Sequence, residues 1–246
     1  MHAQLQKFGI PYHLHEATNG KEEWHNLVRY LNELAFTANV GRPVLQGEIG
    51  CYHSHLSVWK DFLTTDSDAA LIMEDDVVFH DDFLDGISAA VAMYDEWDFL
   101  KLNKIRAKQP ITQVLFEKWR LNSYLGPATG LGAYLIKKDV ALRLQGEMLP
   151  ITRPIDHELD RIHIHKFRHI GLEPFPSHVD DGGDSTITGT NYKNVKKFKW
   201  YKRLAVYWLR TKNLFGKIFY LAHSGQLLRS ARRAQSNGQR PPFRFQ

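Results

Sequence analysis

The chain has 246 residues, of which 43% are hydrophobic, and this is enough apolar surface for one folded domain with a small extension. A single cysteine, Cys51, excludes an internal disulfide framework, and no secretion-signal pattern follows Met1, so a reducing cytoplasm is predicted. The net charge of +5 hides an asymmetry, because residues 1–192 carry 18 basic and 27 acidic side chains, whereas residues 193–246 carry 14 basic ones and no acid. The two parts are therefore predicted to have different partners.

Helical and extended patterns alternate along the acidic part. A first helix is predicted from Trp24 to Ala35, capped by Thr18 or Asn19, because its apolar residues recur at helical spacing. Short apolar runs predict strands at residues 69–73, 99–102, 132–136 and 170–175, and helices are predicted at residues 139–145 and 157–166. This alternation favours an α/β fold with parallel strands, in which ligands bind beyond the carboxyl ends of the strands.

Three consecutive acids, Glu74, Asp75 and Asp76, follow the predicted strand at residues 69–73. Carboxylates at the carboxyl end of a strand can hold a hard divalent cation, which in turn neutralises phosphate groups. Glu74 and Asp76 have the spacing of the DxD-type motif of many nucleotide-sugar transferases. A solvated strand end or an acidic helix N-terminus is the simpler explanation when these three residues are taken alone.

The preceding segment, GEIGCYHSHLSVW at residues 47–59, narrows that choice. Gly47 and Gly50 allow the backbone to turn or to approach a ligand, and Cys51 and His55 then follow at helical spacing. The segment resembles the GE-GC--SH---W element of glycosyltransferase family 25, the lipooligosaccharide biosynthesis transferases. The three acids follow it at the distance that this resemblance predicts.

Further segments extend the resemblance over about residues 8–190. They are FGIPYHLHEA at residues 8–17, WDFLKLN at 97–103, GPATGLGAYLIKKDVALRL at 126–144, PID at 154–156 and EPFPSHVDDGGDSTI at 173–187. One departure is that the further strand usual in the family, upstream of the Gly-Ile-Pro segment, has no counterpart before Gly9. Part of the base-binding pocket depends on that strand.

The resemblance implies an α/β architecture over residues 1–192, with a GT-A-like, Rossmann-type nucleotide-sugar-binding sheet that is flanked by helices and leads into a strand after the Gly-Ile-Pro segment. A basic, amphipathic, helical tail at residues 193–246 would follow. The implied activity is the inverting transfer of a hexose from UDP-galactose or UDP-glucose to a bacterial lipooligosaccharide core acceptor. The alternative is a noncatalytic, degenerate protein that binds a sugar nucleotide or a membrane.

Carried onto this sequence, the resemblance places Mn²⁺ or Mg²⁺ at the acidic motif, where it would stabilise charge on the UDP leaving group. The predicted metal ligands are Asp76, Glu74 and His178. The predicted nucleotide-sugar contacts are Glu48, Ser54, His55, Glu74 and Asp75. For His55, a structural role is an open alternative.

Inversion requires a base that removes the proton of the acceptor hydroxyl, and the resemblance assigns this role to Asp156. A position at a helix N-terminus would keep its carboxylate ionised. Glu158 is the substitute candidate. The alternative is that Asp156 only caps the helix predicted at residues 157–166.

The basic tail contains many aromatic residues, and its segment at residues 198–228 suits the headgroup boundary of an anionic membrane at the inner face of the inner membrane. Cations interrupt each apolar run, so no run is long enough to cross a bilayer as a helix. The same aromatics would alternatively close the domain core. Nucleic-acid binding is not predicted, because it would leave the ordered motifs before residue 190 unexplained. A zinc site among the histidines at 163–169 is also disfavoured, since only His165 and His169 share a helical face.

Overall fold

The computed structural model describes residues 1–180, 195–227 and 231–234. The helices are α1 (His2–Lys7), α2 (Trp24–Leu27), α3 (Glu33–Val40), α4 (Gln46–Leu63), α5 (Phe83–Ala92), α6 (Lys138–Glu147), α7 (Ile155–Leu159), α8 (Ile162–His165) and α9 (Leu204–His223). The strands are β1 (Ala69–Met73), β2 (Val77–Phe79), β3 (Phe99–Lys101), β4 (Arg106–Ala107), β5 (Pro110–Phe116), β6 (Trp119–Tyr124), β7 (Ala128–Thr129), β8 (Ala133–Lys137), β9 (His169–Glu173), β10 (Ser177–Val179) and β11 (Arg232–Arg233). The predicted boundary at residues 192 and 193, and the closing segment after residue 180, lie outside the described residues.

In the described part of the chain, the main sheet has seven strands in the order β1-β8-β3-β9-β6-β5-β11. β3 pairs with β9 and β5 with β11 in parallel, whereas the other neighbours are antiparallel. The predicted α/β class is confirmed, and the sheet is mixed, because two of its six neighbouring pairs are parallel and four are antiparallel. Residues 102–132 contain no helix, and a parallel pair needs a long crossover connection that is usually helical. The finer GT-A-like assignment stays a prediction.

The strand directions bring three segments to one edge of the sheet. β1 and β3 both run antiparallel to β8, so their carboxyl ends lie beside the start of β8. The amide of Glu74 donates to the carbonyl of Gly132 at 2.7 Å, and that of Leu102 donates to Ala133 at 2.9 Å. We call this region, formed by residues 74–76, 103 and 130–132, the site edge.

Helices cover both faces of the sheet. On one face, Phe99 and Tyr134 belong to a hydrophobic cluster that includes Trp59 of α4. On the other face, the neighbouring strand residues Leu100 and Leu135 belong to a second cluster with α5. Alternate residues of β3 and β8 therefore point into different cores, and the strands are buried on both sides, as their continuous apolar runs predict.

In the part of the chain that the structure describes, β1 occupies the edge of the main sheet, and β8 is its strand partner. The prediction of a strand directly after the Gly-Ile-Pro segment is wrong, because residues 10–19 form no strand. Instead, the side chain of Gln4 in α1 bridges the backbone of β2, donating to Val77 at 3.1 Å and accepting from Phe79 at 2.7 Å.

The helix predicted from Trp24 to Ala35 is wrong as a continuous element. It is broken into α2, a 3₁₀ turn and α3, because Leu31 forms a β-bridge with Ile151 and Asn32 caps α3 by accepting from the amide of Ala35 at 3.0 Å. The helix predicted at residues 157–166 is also wrong. Two short helices, α7 and α8, replace it, and α7 begins before Asp156.

The strands at residues 69–73, 99–102, 132–136 and 170–175 and the helix at 139–145 are confirmed within a few residues, as β1, β3, β8, β9 and α6. The helical spacing at residues 47–59 is confirmed by α4. Gly50 lies where α4 crosses the preceding loop, since a Cβ there would lie 2.6 Å from the amide nitrogen of Gly20 and the carbonyl oxygen of Thr18. Gly50 thus serves close backbone packing.

We predict that Gly50→Ala lowers the free energy of unfolding by about 1–3 kcal/mol, because the added methyl group overpacks this crossing. Urea denaturation measures the change. Gly146→Ala in α6 is the matched control, since its Cβ would meet nothing within 4 Å and alanine favours a helix. Equal stabilities of the Gly50→Ala variant and the unchanged protein would contradict the packing role.

α9 is packed on the domain. Val206 and Leu221 are fully buried, and Leu221 joins the cluster that contains Trp59. Lys217 donates to the carboxylate of Asp160 at 2.6 Å and to the carbonyl of Gly126 at 3.0 Å. Within the described residues, no helix combines the length and apolar character that crossing a bilayer requires.

Candidate functional site

The three predicted acids form the turn between β1 and β2. Glu74 and Asp76 are partly buried, whereas Asp75 is exposed. The turn is held on both sides, because the amide of Glu74 is bonded to the start of β8 and the carbonyl of Asp76 accepts from the amide of Asp180 at 2.9 Å. Two fixed backbone positions bring partly buried carboxylates to the site edge before any ligand binds.

A chain of hydrogen bonds orients Glu74. The indole of Trp59 donates to the hydroxyl of Tyr134 at 2.9 Å, and that hydroxyl lies 2.8 Å from Nδ1 of His55. An indole is only a donor, so the hydroxyl accepts from Trp59 and keeps its own proton for a second partner; where it donates to Nδ1, the proton of the imidazole ring lies on Nε2. Nε2 lies 3.4 Å from the Glu74 carboxylate. The geometry therefore supports His55 as the residue that positions an acid.

Cys51 lies one helical turn before His55 on α4. Its sulfur, an imidazole nitrogen of His55 and a carboxylate oxygen of Glu74 lie within 4.8 Å of one another. Burial, followed by the negative charges of Glu74, Asp156 and Glu48, raises the pKa of the Cys51 thiol well above its ordinary value. The thiol is therefore protonated, and three carboxylates predicted from the sequence lie within electrostatic range of it.

Lys101 is a site residue that the sequence reasoning missed. It is fully buried at the end of β3, and its ammonium donates to the carbonyls of Gly130 and Thr129, the latter at 3.2 Å. Burial lowers the pKa of Lys101 to about 8, although the carboxylates of Asp156 and Glu74 favour its charged form. The available signal was a lysine within the apolar run FLKL, where a strand buried on both faces has no place for a free charge.

Asp156 lies in the first turn of α7 and is partly exposed. One carboxylate oxygen accepts from the amide of Gly130 at 3.0 Å and the other accepts from the amide of His157 at 2.8 Å. The helix cap is Pro154, so the alternative that Asp156 is the cap is wrong. Its hydrogen bonds tie α7 to the site edge and leave a positioned carboxylate beside the loop that Lys101 holds.

Asn103 is a second residue that the sequence reasoning missed. It is fully buried directly after β3, and its side-chain oxygen accepts from the amide of Ala133 at 3.1 Å. The nitrogen of its side-chain amide is buried and has no hydrogen-bond partner. A buried donor without a partner is costly unless a ligand or water satisfies it. Asn103 therefore offers a fixed donor at the site edge.

Glu158, the substitute base, lies in a different environment. Its carboxylate contacts Arg153 at 2.8 Å, Arg161 at 2.8 Å and His165 at 2.9 Å. Burial alone would raise the pKa of Glu158, but the hydrogen bond from His165 and the charges of the two arginines hold it below its ordinary value. A buried carboxylate saturated by three cationic side chains is suited to stabilising the fold, and it is poorly placed to accept a proton from a substrate.

Two predicted nucleotide-sugar contacts on α4 are engaged within the protein. Glu48 is buried and forms an ion pair with Arg42. The hydroxyl of Ser54 donates to the carbonyl of Gly50 at 2.9 Å and accepts from the amide of Thr18 at 2.9 Å. The bond between Thr18 and Ser54 docks the 18–20 loop on α4, and the predicted ligand contacts of Glu48 and Ser54 stay predictions.

His178 lies on β10, and its Nδ1 is 2.9 Å from Nε2 of His80 in an exposed pair. The structure thus brings His178 against another imidazole of the β2–β10 ribbon, and its predicted metal role stays a prediction. His165 contacts Glu147 and Glu158. In the described part of the chain, the group of three or more metal-ligating side chains is Cys51, His55 and Glu74, which does not involve the histidines at 163–169.

Comparison with known proteins gives a family match. The family described as glycosyltransferase family 25 (LPS biosynthesis protein) matches residues 1–159. A protein of Acanthamoeba polyphaga mimivirus, named procollagen lysyl hydroxylase and glycosyltransferase, is 48% identical over 54 residues, which are 19% of this chain and 6% of that protein. Procollagen galactosyltransferase 1 of Danio rerio is 24% identical over 179 residues, or 63% of this chain and 29% of that protein.

A third relative, named probable inactive glycosyltransferase 25 family member 3, comes from Rattus norvegicus. It is 40% identical over 43 residues, which are 18% of this chain and 8% of the relative. In each of the three, the matched segment spans less than a third of the relative's length.

Proposed function

Because this chain belongs to glycosyltransferase family 25, we propose that it transfers a hexose from a UDP-sugar to an acceptor hydroxyl, with inversion at the anomeric carbon. The observation that carries the proposal is the convergence of groups at the site edge. The acidic turn, the buried ammonium of Lys101 and the carboxylate of Asp156 act electrostatically on one another there. Such an arrangement would supply charge for a diphosphate and a base for a hydroxyl in one region.

The donor set at the acidic turn fits a hard divalent cation. Glu74, Asp75 and Asp76 offer carboxylate oxygens, the ligands that Mn²⁺ and Mg²⁺ prefer. The neighbouring thiol of Cys51 is protonated and is a soft donor, so we assign it no place in the shell. When bound, the ion would be held by carboxylates of the acidic turn and would stabilise the charge that develops on the UDP leaving group.

The protein's own residues account for the other requirements of inversion. Asp156 would accept the proton of the acceptor hydroxyl as its oxygen forms the new bond to the anomeric carbon, while the bond from that carbon to the phosphate oxygen breaks and UDP leaves with the electron pair. Lys101 would hold the 129–130 loop that donates to Asp156. The free amide of Asn103 would bind a donor oxygen and fix its orientation.

Galactose is the first donor sugar to test, because the Danio rerio relative is named a galactosyltransferase, and glucose is the second. A lipooligosaccharide core is the proposed acceptor, which the description of the family as an LPS biosynthesis protein supports. The test incubates the purified chain with Mn²⁺, each UDP-sugar and a deacylated lipooligosaccharide. We expect addition of one hexose by mass spectrometry, with inverted configuration by NMR. Retained configuration, or no product with either donor, would refute the proposal.

The alternative is a noncatalytic protein that binds a sugar nucleotide. This alternative is supported by the relative that is named a probable inactive glycosyltransferase 25 family member. Both proposals require a binding site for the sugar nucleotide, but only the first predicts transfer of the hexose. Calorimetry that detects UDP binding, together with the absence of any product from either donor, would support this alternative.

We predict that Lys101→Met lowers kcat by about tenfold or more, because hydrogen bonds from a charged group contribute about 1.5–3 kcal/mol each. The pKa of about 8 also predicts that the activity of the unchanged protein falls as pH rises through this value, since Lys101 then loses its charge. The activity of the Lys101→Met variant should show no such fall in this pH range. Lys137→Met, at the other end of β8 over the ring of Tyr94, is the control. Identical pH profiles of the Lys101 variant and the unchanged protein would contradict the positioning role.

A further inference from the structure

α9 has two opposite faces. One face contacts the domain through the buried residues Val206, Lys217 and Leu221. On the other face, Leu204, Trp208, Phe215 and Phe219 are 59%, 64%, 65% and 74% exposed. These four residues are separated by 4, 7 and 4 positions, so they form one stripe along the helix. We call them the α9 stripe, and Trp200, 71% exposed, extends it beyond the helix N-terminus.

An exposed stripe of this composition indicates a binding surface, because soluble proteins seldom expose several large apolar side chains side by side. The structure separates these residues from the apolar residues of the same helix that build the core. The sequence alone left both roles open for every aromatic residue of the segment.

The positive charge around the stripe indicates which kind of partner binds there. Lys196, Lys197, Lys199, Lys202 and Lys212 are exposed in the same segment, and residues 193–246 contain no acidic side chain. Lys212 lies 5.5 Å from the ring of Trp208, so cation and aromatic residue share one surface. Like charges would oppose docking of a second copy by this face, whereas an anionic lipid surface accepts both the cations and the apolar stripe.

We propose that the α9 stripe inserts into the headgroup boundary of an anionic membrane and that the surrounding lysines bind its phosphates. α9 would then lie in the plane of the interface, with exposed lysines before its N-terminus and Lys212 beside the stripe. Lys217 joins α9 to Asp160, one turn from Asp156, so the membrane-facing helix directly contacts the element that carries the candidate base. An acceptor held on a lipid would reach the site without leaving the surface.

The test measures co-sedimentation of the full chain with vesicles of phosphatidylcholine alone and of phosphatidylcholine with phosphatidylglycerol. We expect binding only to the anionic vesicles, weakened by salt. The triple variant Trp208→Ser, Phe215→Ser, Phe219→Ser should lose binding by about tenfold or more, since it removes most of the inserted surface. Leu142→Ser, which removes a side chain 64% exposed on α6, is the control and should bind normally.

Circular dichroism and thermal denaturation establish that the triple variant is folded. Undiminished vesicle binding by this variant, no binding to anionic vesicles, dimerisation through the stripe, or preferential binding of duplex DNA at the same salt would each overturn the proposal. The vesicle assay needs no donor or acceptor. Membrane binding can therefore fail while hexose transfer holds, and transfer can fail while membrane binding holds.

Discussion

Asp156→Asn is expected to lower kcat by about 10²–10⁴-fold while leaving the affinity for UDP nearly unchanged. The asparagine side chain keeps an oxygen that can accept from the amide of Gly130, so the 129–130 loop should stay in place. What is lost is the negative charge that accepts a proton from the acceptor. Initial rates of hexose transfer, with UDP binding measured by calorimetry, separate these two effects.

The matched control is Asp139→Asn, which removes an exposed carboxylate from the first turn of α6. It should behave as the unchanged protein. Normal turnover by Asp156→Asn would exclude it as the base, and an equal loss of turnover and UDP affinity would assign Asp156 to donor binding. Since Glu158 is saturated by its arginine and histidine partners, it should not substitute for Asp156.

The second large effect is expected from Asp76→Asn, which should weaken binding of Mn²⁺ by about 10–100-fold or more and reduce hexose transfer correspondingly. Replacing an oxygen anion by a neutral amide removes a ligand charge from the acidic turn without changing its size. Because the backbone of Asp76 is bonded to Asp180, the turn should keep its conformation. Titration of UDP binding at increasing Mn²⁺ concentration measures the change.

Asp81→Asn is the control for this variant, because Asp81 is fully exposed and pairs only weakly with Lys7, at 3.8 Å. It removes the same charge close by in sequence and should leave the Mn²⁺ dependence unchanged. If Asp76→Asn and the unchanged protein depend equally on Mn²⁺, Asp76 is not a metal ligand and another carboxylate has to bind the ion. Equal losses in both variants would indicate a general effect of surface charge.

Strands and helices with a continuous pattern were predictable from the sequence. β1, β3, β8 and β9 are short apolar runs with polar ends, and α4 and α6 have a sustained helical period. The breaks were not predictable in the same way. Leu31 continues the helical period but leaves it to pair with Ile151, a residue 120 positions later, and this contact outweighs local propensity.

The acids of the candidate site were predictable because Glu74, Asp75 and Asp76 are adjacent and follow a clear strand. Lys101 and Asn103 were not, because their importance arises only when β3 is placed beside β8 and the surrounding core removes water. For Glu158, the sequence did not reveal the surroundings of the carboxylate. Its partners Arg153, Arg161 and His165 are close in sequence, yet only the broken path of α7 and α8 directs all three to one carboxylate.

The most direct test of the central claim is the release of UDP from UDP-galactose by the purified chain, with a deacylated lipooligosaccharide acceptor, in the presence and absence of Mn²⁺. The proposed site predicts release that requires both the acceptor and the ion, because the acidic turn has to hold a cation against the diphosphate. No release from UDP-galactose or UDP-glucose, with no UDP binding by calorimetry in Mn²⁺, would show that the site edge is not a working donor site and would contradict the account.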